Sequence, residues 1–404
     1  MITTDEQEEL RSTVRTLLAR TPPSRPAPDA EAGYDETIWR LLADQVGAFG
    51  LAVPEEHGGV GCTLAETQVV CEELGRAVAT LPYLGSAVLA TQALLACGAT
   101  STQPSPADSV SGATGALPGL ADGSRVGALA WAEGGTWDPA AIRAQVVGGR
   151  LTGVKEHVLD GARADLFIVP ARTPDGRPAA HGAVSGLVAG AGGGHGADAG
   201  GGHGADAGGG LGLYLVDPAA PGVRVESLVT LDRTRPQARV RFDAAPARLI
   251  AADGRRVLER LLAVAATALS AEQLGGSDRC LEMTLAYVQV REQFGRPIGS
   301  FQAIKHRLAD LYVLVESARS VSRDAARALA DDAPDLGVRA ATAQAYCAEA
   351  YAAVAAETIQ LHGGIGFTWE HEAHLHFKRA HAAAALFGSP AWHRARLAAH
   401  VLDE

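Results

Sequence analysis

Residues 287–312 read YVQVREQFGRPIGSFQAIKHRLADLY, and this stretch decides the fold. Apolar residues at helical spacing lead into it and follow it: Leu281, Leu285 and Val288 before, and Phe301, Ile304, Leu308 and Leu311 after. Between the two runs, residues 294–299 cannot continue a helix, because proline lacks an amide donor and glycine weakens helical turns. The pattern therefore predicts a helical hairpin with a tight elbow flanked by arginines.

Working outward, two more glycine-rich stretches stand at a distance from this elbow. Residues 54–61 read PEEHGGVG, and residues 360–367 read QLHGGIGF. With R-x-x-F-G-x-P-I-x-x-F-Q from Arg291 to Gln302, the three stretches resemble, in order, the signatures of the acyl-CoA dehydrogenases. The resemblance implies an FAD-dependent oxidoreductase of fatty acid or lipid metabolism, with a helical domain, a β-domain and a second helical bundle.

Composition limits the possible partners and compartments. The 404 residues are 47% hydrophobic and 20% charged with a net charge of −11, which predicts a globular protein that binds neither nucleic acid nor an anionic membrane. No apolar run is long enough for a spanning helix, and the N-terminus is acidic, so we expect no signal peptide. Five scattered cysteines, interpreted as buried thiols, point to the reducing cytoplasm.

The residue patterns along the chain predict an α+β architecture in three parts. Residues 1–125 are helical in pattern, with Thr4 and Asp5 as a cap and a Ser-, Pro- and Gly-rich boundary loop at 100–124. Residues 126–250 alternate short β-favouring runs with turns and predict a small antiparallel β-domain. Residues 251–404 predict a four-helix bundle whose alanine-rich faces suit a second subunit.

The β-domain is interrupted by a low-complexity loop at 188–211. The octet GGGHGADA occurs at 192–199 and again at 200–207. Glycine at this density cannot bury enough apolar surface to offset its ordering entropy, so we predict a surface loop. Although His195, Asp198, His203 and Asp206 recur with the octet, we predict no metal site.

The resemblance also implies a reaction that this sequence is poorly equipped to perform. In the family, a glutamate removes the α-proton of an acyl-CoA while the β-hydrogen leaves as hydride to the flavin. Here Phe387 stands at the matching position, followed by Gly388 and Ser389, and a phenyl ring cannot accept a proton. The other family position for the base falls near Ala265. Glu259 and Glu272 remain as weak alternatives, with a surface or helix-pairing role expected for both.

The residues that the resemblance assigns to the flavin divide into two groups. Those that a neighbouring subunit would offer to the ADP end are present: Arg291, Phe294, Gln302, Gln360, Gly363 and Gly364, with Ser389 also matching. Those around the isoalloxazine are altered. Residues 132–138 read AEGGTWD and lack the family's Ser-Asp end, His157 replaces a flavin-stacking Trp, and Leu159 replaces a hydroxyl.

Three hypotheses are compatible with this division. The first is a catalytically incomplete subunit of a hetero-oligomer, similar to the α2β2 assemblies among sterol side-chain dehydrogenases, acting with a paralogous subunit on an acyl-CoA. The second is a self-sufficient homo-oligomeric dehydrogenase with a relocated base. The third is a non-redox scaffold that keeps the fold alone. In the first two, the family's usual electron acceptor is electron-transfer flavoprotein.

Overall fold

The computed structural model describes residues 4–23, 33–100, 113–173 and 210–402, so the octets at 192–207 and their His and Asp residues lie outside it. Thr4 caps the first helix with the side chain of Gln7, as the sequence predicted. The N-terminal helices are α1 (Asp5–Arg20), α2 (Glu36–Val46), α3 (Leu64–Arg76), a π-helical segment (Tyr83–Ala90), α4 (Thr91–Thr100) and α5 (Leu117–Ala121). The boundary loop predicted at 100–124 is wrong over its second half, because Leu117 and Leu120 are buried and hold α5 against the core.

Within the described residues 113–173 and 210–253, the central strands form one eight-stranded sheet with its own apolar core. The strands are β1 (Gly127–Leu129), β2 (Gln145–Val147), β3 (Arg150–Leu159), β4 (Leu166–Arg172), β5 (Leu211–Val216), β6 (Val223–Ser227), β7 (Gln237–Pro246) and β8 (Arg248–Ala251). Their order is β6-β7-β3-β2-β4-β5-β8, with β1 beside β4. The pairing is antiparallel except that β1 and β2 each pair with β4 in parallel. The sequence did not predict β8.

The C-terminal helices form the predicted bundle. They are α6 (Gly254–Val290), α7 (Gln302–Ala330), α8 (Leu336–His362), α9 (Ala373–Ala383) and α10 (Pro390–Leu402). The break between α6 and α7 is confirmed: a two-stranded hairpin, β9 (Glu292–Gln293) with β10 (Arg296–Pro297), turns at Phe294 and Gly295. Both turn residues have positive φ, 54° and 76°, as a tight hairpin turn requires.

Helices α3 and α6 cross in close contact, which joins the N-terminal helices to the bundle. A β-carbon added at Gly75 would lie 2.1 Å from the carbonyl oxygen of Glu272, and one at Gly275 would lie 1.8 Å from that of Glu72. Only glycine permits this approach of two backbones. The crossing therefore fixes how α3 lies on the long helix that carries most of the candidate site.

Two structural absences are relevant to function. None of the helices within the described ranges is long and apolar enough to cross a bilayer. Those ranges also hold no group of three His, Cys, Asp or Glu side chains arranged for a metal ion. Of the five cysteines, four are buried and Cys62 is exposed, and none forms a disulfide.

Candidate functional site

Phe387, at the position of the missing base, belongs to a packed aromatic cluster with Trp137 and Trp131. The rings of Phe387 and Trp137 lie 4.5 Å apart, and Trp131 meets Trp137 edge-on at 6.1 Å. Phe387 is only 2% exposed, and its φ of 55° is rare for a bulky residue. Its carbonyl oxygen lies 3.2 Å from Nε2 of His393. The aromatic cluster thus buries the side chain at the position where the resemblance predicts the base.

The segment that carries Trp137 is fixed to the sheet by a buried ion pair. Lys155, on β3 and fully buried, donates to Oε1 of Glu133 at 2.6 Å and to the carbonyl oxygen of Pro170 at 2.7 Å. The carboxylate of Glu133 also accepts from the backbone amide of Arg143 at 2.7 Å. Burial lowers the pKa of Lys155 to about 8, against the opposing effect of Glu133. Trp137 is therefore held in place by its flanking residues as well as by ring packing.

His157 and Leu159, the two altered residues on β3, both contact other parts of the protein. His157 lies at a bulge with a φ of 52°, and its Nδ1 is 2.9 Å from the side-chain oxygen of Gln237 on β7. Leu159 is buried in the main apolar core. His157 is thus hydrogen-bonded to the neighbouring strand, and Leu159 offers no donor.

Neither family position for the base carries an acid, but Glu259 lies in the same region. Ala265 is fully buried in α6. Glu259 is exposed near the start of α6 and, together with Asp138, interacts electrostatically with Arg396, whose guanidinium lies 4.8 Å from the ring of Trp392. Asp138 directly follows Trp137 and is exposed, so Arg396 links the exposed carboxylates of Asp138 and Glu259 electrostatically.

Glu272 belongs to a buried network of charged side chains. It is buried, and its Oε1 accepts from Nη1 of Arg379 at 2.7 Å, while Arg235 contacts both of its oxygens. Arg379 also binds Asp232 at 2.6 Å. Burial raises the pKa of Glu272, but the two arginines more than offset it and hold the pKa below its usual range.

Glu272 is therefore buried rather than at the surface, and its ion pair with Arg379 joins α6 to α9, which agrees with the helix-pairing role expected from the sequence. A carboxylate that two guanidinium groups keep ionised is a weak proton acceptor, so the geometry argues against Glu272 as the relocated base. Its partners come from α9 and from the loop between β6 and β7, and Arg379 also donates to the carbonyl oxygen of Ala79 at 3.2 Å. This buried network joins the three parts of the molecule. The sequence gives no local signal for it, because its members are far apart in the chain.

The elbow between α6 and α7 presents its candidate residues to solvent. Arg291 is exposed and forms no ion pair with any residue in the described ranges. Phe294 is 91% exposed and meets Phe301 edge-on at 6.2 Å, with the guanidinium of Arg296 4.0 Å from the Phe301 ring. Gln302 is exposed, and its side-chain nitrogen is hydrogen-bonded to Nε2 of His306 at 3.0 Å. The elbow thus offers an unpaired cation and an open aromatic face.

The glycine turn after α8 lies next to this elbow. Gly363 ends α8 with a φ of 65°, and no atom lies within 4 Å of where a side chain at Gly363 or Gly364 would begin. Tyr287, one turn before the elbow, stacks on His362 with ring centres 4.4 Å apart. This stack brings together the two signatures that the sequence analysis assigned to the ADP end of a flavin, with Gln360 exposed beside them.

The aromatic cluster and the elbow lie at opposite ends of α6. Glu259 marks the first end and Val290 the second, about 45 Å apart at a rise of about 1.5 Å per residue. Ser389 lies with the aromatic cluster, where its hydroxyl accepts from the amide of Trp392 at 3.2 Å and caps α10. One dinucleotide cannot reach both ends of α6 within a single chain.

Comparison with known proteins places these features in context. The description "Acyl-CoA dehydrogenase, N-terminal domain" matches residues 4–103, and "Acyl-CoA dehydrogenase, C-terminal domain" matches residues 252–402. The acyl-CoA dehydrogenase IpdE2 of Mycobacterium tuberculosis is 37% identical over 96% of this chain and 94% of its own length.

Two solved structures cover nearly the whole chain. The ChsE4-ChsE5 complex from Mycobacterium tuberculosis aligns with a TM-score of 0.80 at 29% identity, over 100% of this chain and 99% of the matched one. A variant of the Tcur3481-Tcur3483 steroid ACAD aligns with a TM-score of 0.78 at 31% identity, over 99% and 98%. The names of both matched proteins join two components.

Proposed function

The chain belongs to the acyl-CoA dehydrogenase family, and from that premise we propose that it is the catalytically incomplete subunit of a hetero-oligomeric acyl-CoA dehydrogenase. The observation that carries the proposal is the packing of Phe387 on Trp137 at the position of the base. A phenyl ring neither takes up a proton nor polarises a thioester, and the ring of Phe387 is buried against that of Trp137. The α-proton is therefore removed in the partner subunit.

The second part of the proposal assigns the elbow to a flavin held mainly by that partner. FAD supplies the hydride acceptor of the reaction when bound. Arg291 would pair with its pyrophosphate, since a guanidinium fork suits that group, and the open backbone at Gly363 and Gly364 would approach the same anion. The exposed and unpaired state of Arg291 and the open space before both glycines support this fit. The occupied positions at His157 and Leu159 do not suit an isoalloxazine ring.

The distance between the two ends of α6 explains why a second chain is needed. If the elbow serves a flavin, the ring of that flavin lies far from Phe387 of the same chain, so the ring must meet another subunit's acid. In a hetero-oligomer, that subunit supplies the base and the acyl pocket. We therefore expect one FAD for each pair of chains.

The test is co-expression with a paralogous subunit that retains the glutamate at the base position. The complex is expected to be yellow with one FAD per two chains and to be bleached by an acyl-CoA. Replacing Arg291 by Ala in this chain should remove most of the flavin, whereas Arg224→Ala, at an exposed arginine on β6 that has no ion pair with the described residues, should not. Stoichiometric FAD on the isolated chain, bleached by an acyl-CoA, would refute the proposal.

The similarity to two-component proteins also suggests a substrate class and an acceptor. We propose a steroid-type acyl-CoA, because a relative that is 31% identical is described as a steroid ACAD. Electron-transfer flavoprotein is the proposed acceptor, and the cytoplasm, in which five free thiols would be stable, is the proposed location. Comparing the bleaching rate of the complex with a steroid-side-chain acyl-CoA and with butyryl-CoA tests the substrate class.

One observation favours a second candidate function, a self-sufficient dehydrogenase. Glu259 is exposed and, with Asp138 next to Trp137, interacts electrostatically with Arg396, so it is the candidate that we propose for a relocated base. This function requires the isolated chain to bind FAD and to lose flavin bleaching on Glu259→Gln. A colourless isolated chain would exclude it.

A further inference from the structure

The ring of His362 lies where the elbow meets the glycine turn. It stacks on Tyr287, in the last turn of α6, and meets the ring of His371, in the segment before α9, with ring centres 4.4 Å apart in each case. We propose that His362 is a positioning residue that holds the elbow beside the glycine turn only while its imidazole is uncharged, so that acid weakens flavin binding there. The inference rests on the proposed function, because it concerns the regulation of the same site.

The hydrogen bond of His362 determines where its proton lies. Nδ1 is 2.7 Å from the carbonyl oxygen of Thr358, one turn earlier on α8, and a carbonyl oxygen only accepts, so Nδ1 carries the hydrogen. Nε2 of the uncharged ring therefore has only a lone pair. The residue is 3% exposed, and Nε2 has no hydrogen-bond partner among the described residues. A second proton would have to be placed on a buried nitrogen with no acceptor, which is unfavourable.

The groups that face His362 do not compensate a positive charge on it. From α6 it is met by Tyr287, and from the segment before α9 by His371. Glu372, next to His371, is already paired with Arg279 at 2.6 Å, and no carboxylate in the described ranges forms an ion pair with His362. Burial lowers the pKa of His362, and His371 adds to the effect. The uncharged ring is therefore the form that fits the stack.

Both ends of the stack are tied to residues that we assign to the flavin. The backbone amide of Arg291 donates to the carbonyl oxygen of Tyr287 at 2.9 Å, and Gly363 directly follows His362. The ring contact thus sets the position of Arg291 relative to Gly363. Two anchors of one pyrophosphate bind it less tightly when they are no longer held in place, because binding must then also order them.

The helices below the stack are joined by a contact that acid does not change. The hydroxyl oxygens of Thr284 on α6 and Thr358 on α8, both fully buried, lie 3.1 Å apart. Thr284 lies about one turn before Tyr287, and Thr358 about one turn before His362. Opening the stack should therefore separate the elbow from the glycine turn while the two helices stay packed.

The size of the acid effect follows from the ordinary pKa of histidine, about 6.5. With the stack open, the imidazole has this value and is mostly protonated at pH 5.5, whereas the closed stack requires the uncharged form. The closed state is therefore favoured above about pH 6.5 and is lost as the pH falls below it. Between pH 7.5 and pH 5.5, the dissociation constant of FAD should rise towards a limit of about tenfold.

The experiment measures the FAD dissociation constant of the co-expressed complex by flavin fluorescence from pH 7.5 to pH 5.5. The parent should lose affinity by about three- to tenfold. His362→Phe, which keeps an aromatic ring but cannot be protonated, should change by less than about twofold over the same range. The matched control is His381→Phe, at an exposed histidine of α9 that packs on Phe377 at 4.3 Å, and it should keep the acid dependence of the parent.

Hydrogen exchange of the full chain without flavin distinguishes a failure of this inference from a failure of the proposed function. After correction for intrinsic exchange rates, amide protection at residues 291–297 and 363–367 should be lower at pH 5.5 than at pH 7.5, and His362→Phe should remove the difference. A complex that holds no FAD at pH 7.5 would refute the proposed function, and the exchange data would then decide this inference alone.

Two outcomes would overturn the inference. The first is a parent whose FAD affinity, or amide protection where no FAD binds, does not fall with acid. The second is an acid dependence that His362→Phe leaves unchanged. If His362→Phe does not fold, His371→Phe decides instead: its side chain is half-buried, and without its charge the protonation of His362 is opposed less, so the acid effect should become smaller. An undiminished effect in that variant would likewise contradict the inference.

Discussion

Replacing Glu272 by Gln tests whether this carboxylate has a structural or a catalytic role. The substitution keeps the shape of the side chain but removes the charge that balances Arg235 and Arg379 in the buried network. Arg379 keeps Asp232 as a partner at 2.6 Å, whereas Arg235 loses its only ion pair within the described residues. The guanidinium of Arg235 is then left buried without an ion-pair partner in direct contact, although Asp232 remains within electrostatic range.

The size of the effect follows from that imbalance. Removing one member of a buried ion pair typically costs about 3–5 kcal/mol of stability. Because Asp232 continues to neutralise Arg379, we expect a loss near the lower bound, about 3 kcal/mol, from Glu272→Gln. The matched control is Glu259→Gln on the same helix, where the carboxylate is exposed and the change should stay within about 0.5 kcal/mol.

The assay is urea unfolding of both variants at pH 7, followed by circular dichroism, with flavin bleaching of the assembled complex measured in parallel. The network should also make stability sensitive to acid. Because the folded-state pKa of Glu272 lies below its ordinary value, the carboxylate stabilises the fold above that ordinary value, and the contribution is lost as the pH falls towards the folded-state pKa. Glu272→Gln should weaken this dependence.

The result that would refute the reasoning is specific. If Glu272→Gln left the free energy of unfolding within 0.5 kcal/mol of the parent yet abolished flavin bleaching, the arginines would not be holding a structural charge. Glu272 would then have to be the relocated base. A large loss of stability in Glu259→Gln would equally contradict the assignment of that carboxylate to the surface.

Three more predictions test other parts of the structure. Phe387→Glu should lower stability by at least about 3 kcal/mol in urea unfolding and give the isolated chain no dehydrogenase activity, and any gain of flavin bleaching would contradict the packed aromatic cluster. Burial raises the pKa of Asp160 to about 7, so the folded state retains a proton that the unfolded state has lost, and stability should fall as pH rises from about 4 to about 7. Asp160→Asn should remove that fall in a series of melting temperatures, and an unchanged pH profile would count against it. Gly275→Ala would place a β-carbon 1.8 Å from the carbonyl oxygen of Glu72 and should prevent the native crossing of α3 and α6. Gly337→Ala, whose β-carbon would have no atom within 4 Å, is the control and should leave stability unchanged or raise it by up to about 1 kcal/mol in the same melting assay. Equal effects of the two substitutions would contradict the close crossing.

Much of the fold was predictable from short stretches of sequence. Pro297 and the glycines around it separate α6 from α7, and Thr4 with Gln7 caps the start of α1. Both features were predictable because these residues determine the backbone conformation of the few residues next to them. The β-favouring runs predicted within residues 126–250 follow the same local logic, and β5 at Leu211–Val216 is one of the strands that they form. In contrast, the parallel pairing of β1 with β4 depends on how the chain crosses the sheet, and no local pattern encodes it.

The candidate site was predictable only in part. The family resemblance predicted, from the sequence alone, that Phe387 stands at the position of the base and that Arg291 matches the retained arginine, since both predictions need only residue identity. Only the tertiary structure decided that Trp137, 250 positions earlier, fills the space beside Phe387, and that Glu272 is neutralised by Arg379, 107 positions away. The physical reason is that burial and the pKa of a charge depend on which distant side chains surround it, whereas a turn, a cap or the chemistry of a side chain is determined within a few residues.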